Sequence, residues 1–174
     1  MSYRPICDVW ILARSKVPYY GAYPAGFLHR ARALLGVSIN GPVLHVCAGK
    51  IKDYPYSGLG PNDGTLDLDP ACSPDYLQDA RDPLPMLDPY WSAVLIDRPY
   101  TEEDAAKYAP GALVLPNAND LLKNAMNVVA KGSRVGMLDY IWPHPGKVAK
   151  EVAVIAVGTG RNNRARWFTV FEKL

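Results

Sequence analysis

The sequence has few of the features that mark secreted, membrane-spanning or metal-binding proteins. Its three cysteines, Cys7, Cys47 and Cys72, are scattered and show no C-x-x-C spacing. That pattern excludes a disulfide framework and a zinc site, so we expect buried, reduced thiols. His29 and His144 show no metal-ligand spacing either, and we predict no metal site.

No apolar run approaches the roughly 18 residues that a membrane-spanning helix requires, and no basic segment leads into an apolar one at the N-terminus. We therefore expect a cytoplasmic protein with no membrane partner.

Net charge is also small. The chain carries 19 Lys and Arg residues against 17 Asp and Glu residues, a net charge of +2, which argues neither for nor against a nucleic-acid partner. No repeat or low-complexity linker divides the sequence, so we predict a single domain over residues 1–174. Proline is abundant, with 16 residues, and these lie mostly between the apolar runs, which predicts rigid loops around a compact core.

Short apolar runs alternate with helical patterns along the chain. Strands are predicted at 42–49, 64–69, 91–97 and 133–142. Helices are predicted at 25–36, from Thr101 onward, and at 120–132, where Gly132 would end the helix. Two β-rich runs, 151–160 and 164–173, flank a polar turn and predict an antiparallel hairpin. Together these elements predict an α/β fold whose sheet is mostly parallel.

In such sheets ligands bind at the carboxyl ends of the strands, where the strand order reverses, so the residues that end each strand are the candidates for a site. Cys47-Ala48-Gly49 ends the first of these runs and is either a close approach for a ligand or a plain tight turn. Asp67 ends the next and is placed either to accept hydrogen bonds from ribose hydroxyls or to cap a turn. Asp79 follows at Tyr-Leu-Gln-Asp-Ala and is placed to accept a hydrogen bond from an exocyclic amine. The fourth strand end reads Asp97-Arg98-Pro99-Tyr100.

Taken in this order, the segments resemble the class I S-adenosylmethionine-dependent methyltransferases. In particular they resemble the amino-methyltransferases of DNA and their small phage and prophage relatives. The resemblance covers most of the chain and rests on PVLHVCAG (42–49), TLDLDP (65–70), YLQDA (76–80), VLIDRPY (94–100) and YYGAYPAGF (19–27). It implies a Rossmann-like, mostly parallel seven-stranded sheet with a C-terminal antiparallel hairpin. Residues 1–40 would form an N-terminal segment and helix closing over the cofactor, with no separate target-recognition domain.

The resemblance also implies the roles of individual residues. S-adenosylmethionine would be held by a set of residues from the strand ends and the N-terminal segment: Tyr23, His45, Cys47, Ala48, Gly49, Asp67 and Asp79. The D-P-P-Y motif of the family corresponds to Asp97-Arg98-Pro99-Tyr100. In that motif the Asp carboxylate and the next backbone carbonyl accept hydrogen bonds from the target amine, the proline stiffens the loop, and the Tyr stacks on a base removed from its helix.

The expected activity is methyl transfer to an exocyclic amino group of a nucleic-acid base, adenine N6 or cytosine N4. The alternatives are a degenerate, non-catalytic cofactor-binding module and a methyltransferase for another small acceptor. Two residues depart from the family pattern. Arg98 replaces the first proline of the motif, and either contacts a phosphate or pairs with Glu102 or Glu103. His45 stands where the family has an acid. DNA or another nucleic acid is the expected partner, and a further protein would supply target recognition.

Overall fold

The computed structural model describes residues 4–15, 17, 21–54, 57–87, 90–108, 115–160 and 164–174. Its strands and helices follow in the order β1 (Ile6–Ile11), α1 (Phe27–Leu35), β2 (Val43–Val46), β3 (Gly64–Asp67), β4 (Tyr76–Leu77), β5 (Trp91–Ile96), α2 (Glu102–Tyr108), α3 (Ala118–Asn127), β6 (Val129–Asp139), β7 (Ala149–Gly158) and β8 (Arg166–Lys173). Short 3-10 turns at Ile51–Asp53 and Pro70–Cys72 follow β2 and β3. Within the described ranges, no helix is long and apolar enough to cross a membrane.

The strands form one mixed sheet in the order β1-β7-β8-β6-β5-β2-β3-β4. Every neighbouring pair is parallel except the two that involve β8, which runs antiparallel to β6 and β7. This confirms the mostly parallel sheet and the C-terminal antiparallel hairpin. The sheet has one strand more than the seven predicted, because β1 adds to the edge of β7. Its sequence, ICDVWI, does not alternate between apolar and polar residues, and only Trp10 in it is buried. The sequence pattern therefore does not predict this strand.

The strand order reverses at β2. From β2 the chain proceeds outward to β3 and β4, and it then returns to the other side of β2 to form β5. The loops that follow β2 and β5 therefore diverge above the carboxyl end of the sheet and leave a crevice between them, as in other parallel α/β sheets. The fold thus sets the site at the strand ends that the sequence singled out.

Two apolar clusters, one on each face, hold the sheet rigid beneath this crevice. On one face Phe27 of α1 packs edge-on against Phe168 of β8, with ring centroids 5.1 Å apart, and Trp10 of β1 joins them. On the other face α3 buries Leu121 and Leu122 against the sheet. Each such side chain, fully buried, stabilises the fold by about 1.5–3 kcal/mol relative to exposure.

The helix predicted at 25–36 is confirmed as α1, which ends at Gly36 with a left-handed φ of 71°. Thr101 caps α2 as predicted, because its Oγ1 accepts the backbone N–H of Asp104 at 3.1 Å.

The prediction for 120–132 was wrong at its C-terminal end. The helix α3 ends at Asn127, and Val129 already pairs with Trp91 in the sheet. Gly132 does not end a helix. It lies within β6 with a φ of 83°, at an irregularity in the register with β5. The apolar spacing over 120–132 fits a helix. The two β-branched residues at 128–129 instead pair with the start of β5, and the sequence around them does not show this pairing.

Candidate active site

A cavity of about 930 Å³ opens above the carboxyl ends of β2, β3 and β5. It brings together residues that are distant in sequence: the Cys47-Ala48-Gly49 turn after β2, Asp67 at the end of β3, Asp79 after β4, and the four residues from Asp97 to Tyr100 after β5. Tyr23, from the segment between β1 and α1, also lines it. Of the residues that the sequence assigned to a site, only His45 lies outside the cavity lining.

The turn after β2 is held by the side chain of Asp67. Its Oδ2 accepts the backbone N–H of Gly49 at 2.8 Å, and its Oδ1 accepts the N–H of Asp69 at 2.9 Å. Cys47 and Gly49 both have left-handed φ values, 56° and 55°, which bring the backbone tightly around the end of the strand. Each oxygen of Asp67 keeps acceptor capacity beyond these bonds, since a carboxylate oxygen can accept two. Asp69 instead caps the Pro70–Cys72 turn.

Cys47 faces the cavity but is not an activated nucleophile. Burial, reinforced by the negative charges of Asp67 and Asp97, raises the pKa of its thiol well above the usual range. The side chain therefore stays a neutral thiol, and its contribution to the cavity is its small size and its backbone conformation.

His45 takes a structural position instead of the cofactor contact that the sequence suggested. Its Nε2 lies 3.1 Å from Oδ2 of Asp63, which precedes β3 and lies away from the cavity. The carboxylate of Asp63 also pairs with Arg32 of α1, and both side chains of this ion pair are buried. Because a strand's successive side chains alternate between faces, His45 points into the α1 side of the sheet. His45 therefore does not line the cavity, contrary to the expected cofactor contact.

Asp79 lies at the rim of the cavity, where both its oxygens accept hydrogen bonds from Arg81. The hydrogen bonds from Arg81 hold the pKa of the Asp79 carboxyl below its usual range, so it is ionised at neutral pH. On the opposite side, Tyr23 is buried and stacks on Phe27 with ring centroids 5.2 Å apart. Residues 18–20, part of the segment predicted to close over the cofactor, lie outside the described residues.

Asp97 and Tyr100 form the polar centre of the other half of the cavity. The hydroxyl of Tyr100 donates to Oδ1 of Asp97 at 2.5 Å and accepts a hydrogen bond from Arg166 at 3.2 Å. Burial raises the pKa of Asp97 to about 6, although the charge of Arg166 and the hydrogen bond from Tyr100 both oppose the shift. Burial together with the Asp97 charge raises the pKa of Tyr100 well above its usual value, so Tyr100 stays a donor.

The ring of Tyr100 does not face an open stacking position. It packs on Tyr140, with ring centroids 4.5 Å apart, and the guanidinium of Arg166 lies 5.9 Å from its ring centroid. Arg164 is placed similarly over Tyr140, at 5.8 Å. The sequence analysis missed Tyr140, because nothing in the local pattern after β6 marks it.

Arg98 does not pair with Glu102 or Glu103, as the sequence suggested. Its guanidinium is also not exposed where it would contact a phosphate. Its guanidinium is buried against Asp139 at the end of β6, with Nε 2.6 Å from Oδ2. The only sequence signal for Asp139 is that it interrupts an otherwise apolar run. No group of three or more His, Cys, Asp or Glu side chains in the described part of the chain is placed to hold a metal ion.

No protein-family model matches the sequence, and the search of curated proteins finds no match. Solved structures do match. TrmN from Thermus thermophilus superposes with a TM-score of 0.58 at 18% identity, over 84% of this chain and 48% of that one. An rRNA methylase from Streptococcus thermophilus gives 0.50 at 13% identity, over 88% and 99%. N-methyltransferase NodS from Bradyrhizobium japonicum, in complex with S-adenosyl-L-homocysteine, gives 0.52 at 11% identity, over 83% and 86%. The chain has the fold of an S-adenosylmethionine-dependent methyltransferase.

The methyltransferase fold accounts for the position of the cavity. In this strand order β2, β3 and β5 are neighbours whose loops all open on the same edge, and the cavity lies above them. At these identities the comparisons show the fold alone, and the chain spans about half (48%) of the length of TrmN.

Proposed function

We propose that the protein transfers a methyl group from S-adenosylmethionine to an exocyclic amino group of a nucleic-acid base. The observation that carries the proposal is the position of Asp97-Arg98-Pro99-Tyr100 in the wall of the cavity, at the end of β5 and within the same cavity as Asp67 and Asp79. A cofactor half and an acceptor half therefore share one cavity.

The residues after β2, β3 and β4 suit S-adenosylmethionine. The cavity volume of about 930 Å³ lies within the usual range for ligand sites. Asp67 is held by two backbone N–H groups and has acceptor capacity left for ribose hydroxyls. Asp79 would accept a hydrogen bond from the adenine amine when Arg81 releases one of its hydrogen bonds to the Asp79 carboxylate. Tyr23, Cys47, Ala48 and Gly49 complete the surface around the cofactor.

At the acceptor half, the Asp97 carboxylate and the Arg98 backbone carbonyl would accept the two N–H bonds of the target amine. The cofactor supplies an electrophilic methyl group on a sulfonium. Held in line, the amine nitrogen keeps its lone pair directed at that methyl, which is catalysis by positioning and electrostatics. After transfer the nitrogen carries one proton too many, and Asp97, whose pKa burial raises to about 6, is suited to receive it.

Tyr100 donates to the same carboxylate that the amine would use. Arrival of the acceptor would therefore replace this hydrogen bond, leaving the Tyr100 hydroxyl with Arg166. The ring would then be free to pack on the base, in place of or beside Tyr140.

Two features favour a nucleic acid over another acceptor. Arg164 and Arg166 line the acceptor side of the cavity beside two aromatic rings, a combination suited to phosphates and stacked bases. One of the structures that share the fold is named as an rRNA methylase. DNA methylation of the phage type, a partner protein for target recognition, and a single domain over residues 1–174 remain predictions.

The test is transfer of a radiolabelled methyl group from S-adenosylmethionine to single-stranded DNA, duplex DNA, RNA and free nucleosides. We expect transfer to at least one nucleic acid. Asp97→Asn should lower the rate at least a hundredfold and leave cofactor affinity unchanged, because the substituted side chain lies outside the cofactor half. Asp53→Asn, an exposed carboxylate outside the cavity, is the matched control and should retain full activity.

The other outcomes favour the alternatives. Binding of the cofactor without transfer to any acceptor would point to a non-catalytic module. Transfer to nucleosides that is indifferent to added DNA or RNA would point to a small acceptor.

A further inference from the structure

The buried ion pair between Arg98 and Asp139 has no counterpart in the D-P-P-Y pattern, where a proline occupies the position of Arg98. Arg98 is the largest fully buried side chain of the described chain, 2% exposed, and Asp139 is 0% exposed. Such a pair is costly to desolvate, and apolar residues of the same size often stabilise a fold equally well. Stability alone therefore does not account for this pair.

The contacts of Arg98 join three segments. Its Nε lies 2.6 Å from Oδ2 of Asp139, and a terminal nitrogen lies 3.3 Å from Oδ1. Its other terminal nitrogen donates to the backbone carbonyl of Pro99 at 3.1 Å. Asp139 in turn accepts the backbone N–H of Ile141 at 3.0 Å. The guanidinium thus ties the loop after β5 to the end of β6 and to the first residues beyond it.

This arrangement bears on the proposed chemistry in two ways. A proline at position 98 would fix φ, and so restrict where the carbonyl of that residue points. Arginine has no such restriction, but its side chain is anchored at the far end and to the next carbonyl, which restrains the same backbone from the other side. The pair also fixes the residue that precedes Tyr140, whose ring packs on Tyr100.

We infer that the Arg98–Asp139 ion pair is a positioning device that replaces the first proline of the motif: it aims the Arg98 carbonyl at the acceptor amine and holds Tyr140, on which the Tyr100 ring packs. The inference rests on the proposed function. Neither side chain needs to touch the substrate, so both are positioning residues. Their removal should affect the chemical step and leave cofactor binding intact.

Removing one partner alone would leave a buried charge and could unfold the protein, so the test uses two double variants. The apolar double variant combines Arg98→Met with Asp139→Leu. The proline double variant combines Arg98→Pro with Asp139→Leu, and restores the restricted φ without the ion pair. The φ of residue 98 is not in the left-handed region, so proline is compatible with its sign.

Two measurements are made on both variants and on the unmodified protein. The first is the methyl-transfer rate together with the affinity for S-adenosylhomocysteine. We expect the apolar double variant to lose at least tenfold in kcat with unchanged affinity, and the proline double variant to recover most of that loss. The second is amide hydrogen exchange of Asp97, Tyr100 and Thr101, which should be faster in the apolar double variant and slow again in the proline double variant.

Full transfer and unchanged exchange in the apolar double variant would overturn the inference. So would a loss of activity that proline does not recover, because a merely structural role predicts no such rescue. If the unmodified protein transfers no methyl group to any acceptor, the proposed function fails. Hydrogen exchange still decides in that case whether the pair orders the loop.

Discussion

Asp97 is held in an environment that favours its neutral form, and this should be visible as a pH-dependent cost to stability. Its ordinary pKa is 3.8, and burial raises it to about 6 in the folded protein. An acid whose pKa is higher in the folded state stabilises the fold while it is protonated, and this stabilisation is lost as the pH rises from 3.8 through 6. Asp97→Asn is neutral at every pH and escapes the loss.

The magnitude follows from the shift of about 2 pH units, at 1.36 kcal/mol each, which sets an upper limit of about 3 kcal/mol. Because Asp97 retains some exposure to the cavity, water screens part of the effect, and we expect about half of that figure. For a chain of this size 1 kcal/mol moves Tm by about 2–4 °C. Between pH 4 and pH 7 the Tm of Asp97→Asn should therefore rise by about 3–6 °C relative to the unmodified protein.

The assay is thermal unfolding of both proteins in buffers from pH 4 to pH 8, at constant ionic strength. Asp53→Asn, an exposed carboxylate, serves as the control and should show a Tm difference that does not vary with pH. A constant offset between Asp97→Asn and the unmodified protein would refute the reasoning, whatever its size, because only the pH dependence reports the raised pKa.

Three further predictions concern the acceptor half and the sheet. The methyl-transfer rate should rise with pH to a plateau, with a midpoint near 6, because the carboxylate form of Asp97 accepts the hydrogen bond and the proton of the amine. A flat profile from pH 5 to pH 8 would contradict this. Arg166→Met should move that midpoint to higher pH, since the charge of Arg166 lowers the pKa of Asp97, and an unchanged midpoint would exclude the interaction. Gly136→Ala should destabilise the protein by about 1–3 kcal/mol in denaturant unfolding. The added Cβ at position 136 would lie 2.8 Å from Cε2 of Phe168. Unchanged stability would mean that the Phe168 ring can move aside.

The sequence predicted the parts of the fold whose signals are local. The apolar runs at β2, β3 and β5, the glycine that ends α1, and the cap at Thr101 all depend on neighbouring residues, and each is confirmed. The end of α3 was mispredicted because Val129 is recruited by a strand almost forty residues away. The edge strand β1 was missed for a similar reason. Pairing with β7 defines it, since its own pattern is irregular.

The candidate site divides in the same way, into residues that local sequence signals predict and contacts that depend on distant segments. Residues that directly end strands could be placed from the sequence, because parallel strands bring their carboxyl ends to one edge. The partners of those residues could not be. His45 lies on a predicted strand, but its contact with Asp63 depends on the packing of α1 and the loop before β3. The pairing of Arg98 with Asp139 spans 41 positions and depends on β5 and β6 lying side by side.

We expect the cavity above β2, β3 and β5 to bind S-adenosylmethionine. Calorimetric titration with S-adenosylmethionine and S-adenosylhomocysteine tests it most directly, with Asp79→Ala as the variant and Asp82→Ala as the matched control. Asp82 is exposed in the same loop and does not line the cavity. We expect the unmodified protein and the control to bind at one site, and the affinity of Asp79→Ala to be at least tenfold weaker. No heat at millimolar ligand, or equal binding by both variants, would contradict it.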